Sequence, residues 1–420
     1  MQSKILSVTA LIAGVSASGN YLGFNSGATN ADNTAKFQAD FEKEMTTAQN
    51  LNGAPGKFNA VRLYTNIQAY STSDPIQAFP AAIATDSSLL LGIWTSGTTS
   101  IQNEINALKA ALDTHGSDLA DRVIGISIGS EDLYRNSVEG VSSSAGPGVN
   151  PDDLVAFIKD FKSAFADTLL KDVAIGHVDT SDAWANGSNS AVIDAVDWLG
   201  IDEYPYYETG HGNKIGNAAS LFETAYSAVE KVAGSKKIWV TETGWPYKGD
   251  TWDEAVASVA NAKTYWDDIG CSKLFGKVPT FWYNLVQDSA TNTMSFAITE
   301  DLSTTPLFNL TCPAKSTKST STSASASTTA ASSKSSGLET ASSKASGTET
   351  ASSKASGTGT ASSSASTATG SSSSESSGTT SEDVAKASSS KVAASGASAA
   401  QLGSSAFAAI AFVAAAFALF

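Results

Sequence analysis

A (β/α)8 TIM barrel followed by a polar, Ser/Thr-rich stalk is the architecture this 420-residue sequence predicts. Three observations carry the prediction. Between residues 19 and 313, eight apolar, β-rich runs recur with helical patterns between them. Most of these runs are continuous rather than alternating, as parallel strands buried on both faces are. No Gly-x-Gly-x-x-Gly or Gly-x-x-x-x-Gly-Lys segment follows an early run, which removes the usual nucleotide-binding reasons for the competing doubly wound open sheet.

The elements follow in chain order. Residues 21–25 form the first run, and Thr34 opens a helix. Residues 58–65 form the second run, and Asp74-Pro75 opens the next helix. The third run, 89–94, leads to a stripe of Ile101, Ile105, Leu108 and Leu112 that stops at His115-Gly116. The fourth, 123–129, precedes Asn150-Pro151-Asp152-Asp153, a cap with proline in the first turn. Leu154, Phe157, Ile158, Phe161 and Phe165 then make one apolar face. Residues 173–178 and 198–204 are the fifth and sixth runs. A helix over 220–232 stops at Gly234. The seventh run, 238–242, precedes a helix over 253–269 ending at Gly270, and residues 279–284 form the last run.

The flanks differ in composition. Residues 1–18 have the order of a signal peptide: Lys4, an apolar stretch over 5–15, then small residues at Val15-Ser16-Ala17. A buried first element is the alternative. Residues 314–395 are almost all Ser, Thr, Ala, Gly and Lys. A decapeptide recurs there, beginning Ala331-Ser332-Ser333-Lys334, Ala341-Ser342-Ser343-Lys344 and Ala351-Ser352-Ser353-Lys354. Such a segment has too little apolar surface to offset the entropy of folding, and it reads as a hydroxyl-rich stalk open to O-glycosylation. Residues 396–420 present small residues, a short spacer and an apolar tail from about Ala406, the order of a GPI-anchor signal that is removed from the mature protein. The lipid would be attached at Gly396 or Ser395. A spanning helix is the rival, but the tail is shorter than the ~20 apolar residues a bilayer needs.

Two cysteines, Cys271 and Cys312, are expected to pair as one disulfide in an exported chain. Asn186 and Asn309 head N-glycosylation sequons. The net charge of −15 argues against nucleic acid as a partner. His115, His177 and His211 show no metal-ligand spacing, so no metal or cofactor is expected. No Gly-x-Ser-x-Gly elbow precedes a helix.

Chemistry is concentrated at two strand ends. The fourth run ends on Glu131 and the seventh on Glu242. A glutamate at the tip of a buried strand is costly to place, and barrel sites lie at the carboxyl ends of strands. Glycosidic hydrolysis needs one protonated and one ionised carboxyl facing each other across such a mouth. Asp202 and Glu203, ending the sixth run, are the rival acids. Asp132 is expected to point elsewhere, and Asp179 and Asp182 to bind hydroxyls or cap a loop.

Thr241-Glu242-Thr243-Gly244-Trp245-Pro246 resembles the nucleophile motif of glycoside hydrolase family 17, the 1,3-β-glucanases. Gly23-Phe24-Asn25-Ser26-Gly27, Val61-Arg62-Leu63-Tyr64 and Ile128-Gly129-Ser130-Glu131 resemble its first, second and fourth strands. The Ser/Thr-rich tail is similar to that of its fungal, GPI-anchored cell-wall glucan endo-1,3-β-glucosidases. The resemblance implies Glu242 as nucleophile, Glu131 as acid/base, retention of configuration, β-1,3-glucan as substrate and no cofactor. It implies a secreted protein held at the plasma membrane by a lipid alone or linked to the wall. A monomer is expected. Arg62 is expected to support the ionised nucleophile, and Tyr64 and Tyr204 to donate to it. Ser130, Trp245 and Trp282 are expected to touch sugar. Ser130 departs from the asparagine the wider clan has at that position. Two alternatives stay open: a β-1,3-glucanosyltransferase using the same pair, and a non-catalytic glucan-binding wall protein.

Overall fold

The structure, a computed structural model, describes residues 19–314 apart from Asp288, Ala290 and Thr291. The expected signal peptide, stalk and anchor site lie outside the described residues.

Eight parallel strands close into a barrel in sequence order: β1 (Leu22–Ser26), β2 (Ala60–Leu63), β3 (Ser88–Ile93), β4 (Val123–Ser130), β5 (Ile175–Thr180), β6 (Trp198–Asp202), β7 (Lys237–Glu242) and β8 (Thr280–Trp282). The ring closes where Gly23 and Phe24 of β1 pair with Phe281 and Trp282 of β8. Every predicted run overlaps one strand. The runs were readable because these strands are buried on both faces, so each carries apolar residues without a polar period.

Alternation along the strands then divides two cores. Leu90, Ile124, Val178, Trp198, Trp239 and Phe281 fill the barrel interior. Trp198 and Trp239 stack there at 4.5 Å. Gly176 makes room for them, since a Cβ at that position would lie 2.3 Å from the Trp198 ring. The outward-facing residues pack under the helices in a second, larger core.

The helix Pro151–Phe165 forms as its sequence dictates. Asn150 Oδ1 accepts from Asp153 N at 3.0 Å, Pro151 opens the first turn, and the predicted apolar face is buried. The helices Gln102–His115 and Ala218–Ala233 end at Gly116 and Gly234, both at positive φ.

Three helix starts fall later than predicted. Thr34 closes a turn on Asp32, whose carboxylate accepts its N–H at 3.0 Å, and the helix begins at Gln38. Pro75 bridges to Ile67, and that helix begins at Ala78. Asp253 adopts φ +53° and holds Gly210 N at 2.8 Å, so the helix waits for the Ser258 cap and spans Val259–Tyr265. In the first case a side chain offers the backbone a turn in place of the helix, and in the other two a contact to a preceding loop holds the segment out of it. The last helix also passes Gly270, continuing as a π-helix over Trp266–Leu274. The glycine is there for packing: a Cβ would meet the Phe275 ring at 2.4 Å.

Cys271 and Cys312 are bonded, tying the end of the described chain to this helix. Trp266 Nε1 donates to Leu310 O at 2.9 Å beside the link. Asn186 and Asn309 are both exposed.

Candidate active site

The β4 strand ends in a turn rather than running straight into Glu131. Gly129 has φ +83°, where a Cβ would meet Asp132 Oδ2 at 2.2 Å and Thr95 Oγ1 at 2.7 Å. Glu131 itself stands at φ +58°, ψ 24°, a left-handed conformation that costs a non-glycine residue about 1 kcal/mol or more. Several bonds hold the turn. Asp132 accepts from Ser130 N at 2.9 Å, Thr95 Oγ1 at 2.7 Å and Ser96 Oγ at 2.6 Å. Arg135 donates to Ser130 O at 2.7 Å and Ser96 Oγ at 2.9 Å. The expectation that Asp132 points away from Glu131 is met, and its role is to fix the turn that aims Glu131.

Glu131 is 5% exposed and accepts from Arg135 Nη2 at 3.2 Å. Burial pushes its carboxyl up to about 8. Arg135 opposes that rise, while Glu242 and Asp179 add to it.

Glu242, at the tip of β7, meets a different environment. Arg62 Nη1 donates to Oε1 at 2.5 Å and Tyr64 Oη to the same oxygen at 2.6 Å, while Tyr204 Oη donates to Oε2 at 2.7 Å. Three donors make this carboxylate an acceptor on both oxygens. All three expected supports are therefore in place. Arg62 is buried and fully engaged: its other bonds run to Asn25 Oδ1 and to Ser130 Oγ, both at 2.9 Å. Ser130 thus ties the turn that carries Glu131 to the guanidinium that meets Glu242.

Asp202 is in register with Glu242 on the neighbouring strand and accepts from Thr241 Oγ1 at 2.7 Å. Burial, with the charge of Glu242 next, pushes its carboxyl well above the usual range. Glu203 turns away toward Asp182 and Glu208, and burial raises it as well. Asp179 caps a loop, accepting from Leu133 N at 2.9 Å and Tyr134 N at 3.2 Å.

Two expected sugar contacts are corrected. Trp282 follows the inward Phe281 on β8, so strand alternation turns it outward, where it packs on Trp266 at 4.9 Å. Trp245 is buried with Tyr206 at 5.0 Å and donates to Val256 O at 3.0 Å. Both indoles belong to the helical layer. Trp94 and Tyr247 are half-buried, and the Arg135 guanidinium lies 5.1 Å from the Trp94 ring centroid.

The sequence reading passed over Asn25, Arg135 and Glu104. Arg135, four residues after Glu131, carried a usable signal, because that spacing suits a charge pair on one helical turn. Glu104 had none, since it lies on a helix far from any strand end. It accepts from Asn66 N at 2.8 Å and Trp94 N at 3.3 Å, fastening the loops that carry Tyr64 and Trp94. Among the described residues, no group of three or more His, Cys, Asp or Glu side chains could hold a metal ion.

One carboxyl is desolvated and pushed up to about 8, while the other meets one cation and two phenols. Environments that separate two acids in this way suit a proton donor and an ionised partner.

Comparison with known proteins gives concordant results. Residues 23–299 match the BtgE/BtgC glycoside hydrolase domain. The chain is 57% identical over 295 residues to a protein of Aspergillus niger named "Probable glucan endo-1,3-beta-glucosidase eglC", covering 70% of this chain and 63% of that protein. A relative of the same name in Aspergillus fumigatus is 54% identical over 296 residues, with 70% and 66% covered. The glycoside hydrolase family 17 beta-1,3-glucanosyltransferase of Rhizomucor miehei shares the fold, with a TM-score of 0.57 at 24% identity over 70% of this chain and 98% of that one. An endo-laminarinase from Formosa gives a TM-score of 0.54 at 14% identity, with 69% and 85% covered. The chain thus spans just under two thirds of the length of the Aspergillus relatives.

Proposed function

The chain belongs to the BtgE/BtgC glycoside hydrolase family, and from that premise we propose that it hydrolyses internal 1,3-β-D-glucosidic bonds of glucan with retention of configuration. Glu131 gives its proton to the leaving glycosidic oxygen. Glu242 attacks the anomeric carbon to form a glycosyl ester. Glu131, now ionised, takes a proton from water, and that water releases the sugar and restores Glu242. The substrate and the linkage rest on the names of the Aspergillus relatives, and retention on kinship. The assignment of roles is carried by one observation: Arg62, Tyr64 and Tyr204 converge on Glu242 and leave Glu131 to its desolvated turn.

Arg62 neutralises the charge that Glu242 brings into the barrel mouth, and the two phenols fix the carboxylate plane. Ser130 Oγ accepts from Arg62, which leaves its hydroxyl hydrogen to reach a sugar oxygen. Residues 1–18 and 396–420 support export and lipid anchoring, and the exposed Asn186 and Asn309 support N-glycosylation. On that reading the enzyme works as a monomer on wall glucan near its own membrane.

Incubation with linear β-1,3-glucan tests the reading. Shorter products with new reducing ends support hydrolysis, and products longer than the input show transfer to a sugar acceptor instead. Wild-type turnover by Glu242→Gln would refute the mechanism.

A further inference from the structure

His177 lies in the middle of β5, is fully buried, and belongs to neither carboxyl. Its two ring nitrogens meet two acceptors. Nδ1 is 2.7 Å from the carbonyl oxygen of Ile128, and Nε2 is 2.9 Å from Asp179 Oδ2. A carbonyl oxygen offers no proton. Asp179 already accepts three backbone N–H groups, from Leu133 and Thr180 at 2.9 Å and from Tyr134 at 3.2 Å. A neutral imidazole can donate from one nitrogen only, so this pattern is satisfied when the ring carries both protons and Asp179 carries none.

The bonds also have a direction. Ile128 lies three residues before Glu131, on the strand side of the turn. Leu133 and Tyr134 lie just after it, on the helix side. The His177–Asp179 pair therefore clasps both flanks of a glutamate held in a left-handed conformation. Gly129 leaves the space for it: a Cβ there would lie 3.1 Å from His177 Cε1.

We infer that His177 is a positioning residue, a buried imidazolium that with Asp179 holds the Gly129–Asp132 turn and so aims the Glu131 carboxyl at the glycosidic oxygen. This rests on Glu131 being the acid/base. The charged groups that face the ring are Asp179 on its own strand and Asp132 in the turn, and Trp184 meets it edge-on at 5.4 Å. Burial opposes the ring's charge, and the bonds and charges of Asp179, Asp132 and Ile128 outweigh it, so its value stands above the ordinary 6.5. The imidazolium also offsets Asp179, whose charge raises Glu131.

The experiment pairs nitrogen NMR of the ring with kinetics of His177→Gln. In the wild type, both ring nitrogens should read as protonated across the whole pH range of activity. In His177→Gln, kcat should fall about 10²-fold, as for a catalytic group displaced by about 1 Å, with KM changed less than roughly twofold, as when a transition-state interaction alone is lost. The basic limb of its pH profile should move upward, because Asp179 loses its counter-charge. A neutral ring under active conditions overturns the inference. So does a folded His177→Gln protein with wild-type kcat and an unmoved basic limb. Should that variant not fold, the wild-type ring titration decides alone. Full activity in Glu131→Gln would instead sink the acid/base reading, and it would leave the ring measurement unaffected.

Discussion

Replacing Arg62 with methionine tests the charge balance of the site most directly. The guanidinium has no exposed alternative, with its side chain 2% accessible, and it meets Glu242 at 2.5 Å and Asp202 at 3.9 Å. Burial already pushes Asp202 well above the usual carboxylate range, so Asp202 can remain neutral when the cation is gone. Glu242 is then the one carboxylate left uncompensated. Removing one partner of such a buried pair costs about 3–5 kcal/mol, a large part of the ~5–15 kcal/mol that holds a domain together. The same energy lost at the transition state would lower kcat/KM by about 10²–10⁴-fold. Denaturant unfolding of wild type, Arg62→Met, Glu242→Gln and the double variant forms a cycle. The double variant should recover much of the loss, with a coupling of about 2 kcal/mol or more. A coupling under about 0.5 kcal/mol, within the scatter for independent sites, would show that the observed bond does not organise the site.

Other expectations follow from the same geometry. Glu131 must be protonated to act as an acid, so kcat/KM should be lost as pH rises through about 8, and Glu131→Gln should abolish that limb. Folding should follow the same sign. Glu131 and Glu104, pushed up to about 8 and about 7, bind protons in the folded chain above the ordinary 4.5 where the unfolded chain does not. Stability measured by denaturant should therefore decline between those values as pH rises, and a flat profile would contradict the burial of these groups. Glu104→Gln keeps one acceptor oxygen for three donors, and should cost about 1–3 kcal/mol and reduce turnover through Tyr64 and Trp94. Opening the disulfide with Cys271→Ser and Cys312→Ser frees a loop of sequence separation 41, worth about 4 kcal/mol on chain-entropy grounds. An unchanged unfolding midpoint would refute that estimate.

The strands were legible because a doubly buried strand writes an unbroken apolar run. The two carboxyls were legible because each interrupts such a run at its end. Arg62, Tyr64 and Tyr204 could be placed by counting from those ends. What escaped were partners whose roles depend on a turn. Asp132 looks redundant beside Glu131 until Gly129 and Glu131 take positive φ and fold its carboxylate back beneath the turn. His177 reads as one more β5 residue, and only the register of β4 against β5 brings it under Ile128. Trp245 and Trp282 were expected to touch sugar, and both are buried in the helical layer. Aromatics near a strand end suggest a sugar platform, yet the inward Phe281 next to Trp282 already fixed which way that indole would face.

Asn25 gives the ring closure a consequence in time. Its Nδ2 reaches Phe281 O and Trp282 O at 3.3 and 3.4 Å across the β1–β8 seam, while its Oδ1 holds Arg62. Residues 256 and 257 positions apart must therefore meet before the guanidinium is locked in place against Glu242. Such long-range closure costs loop entropy before it is rewarded and is slow to form. A nascent chain that has made its first strands but not its last would carry an unassembled centre, with Arg62 not yet locked against Glu242.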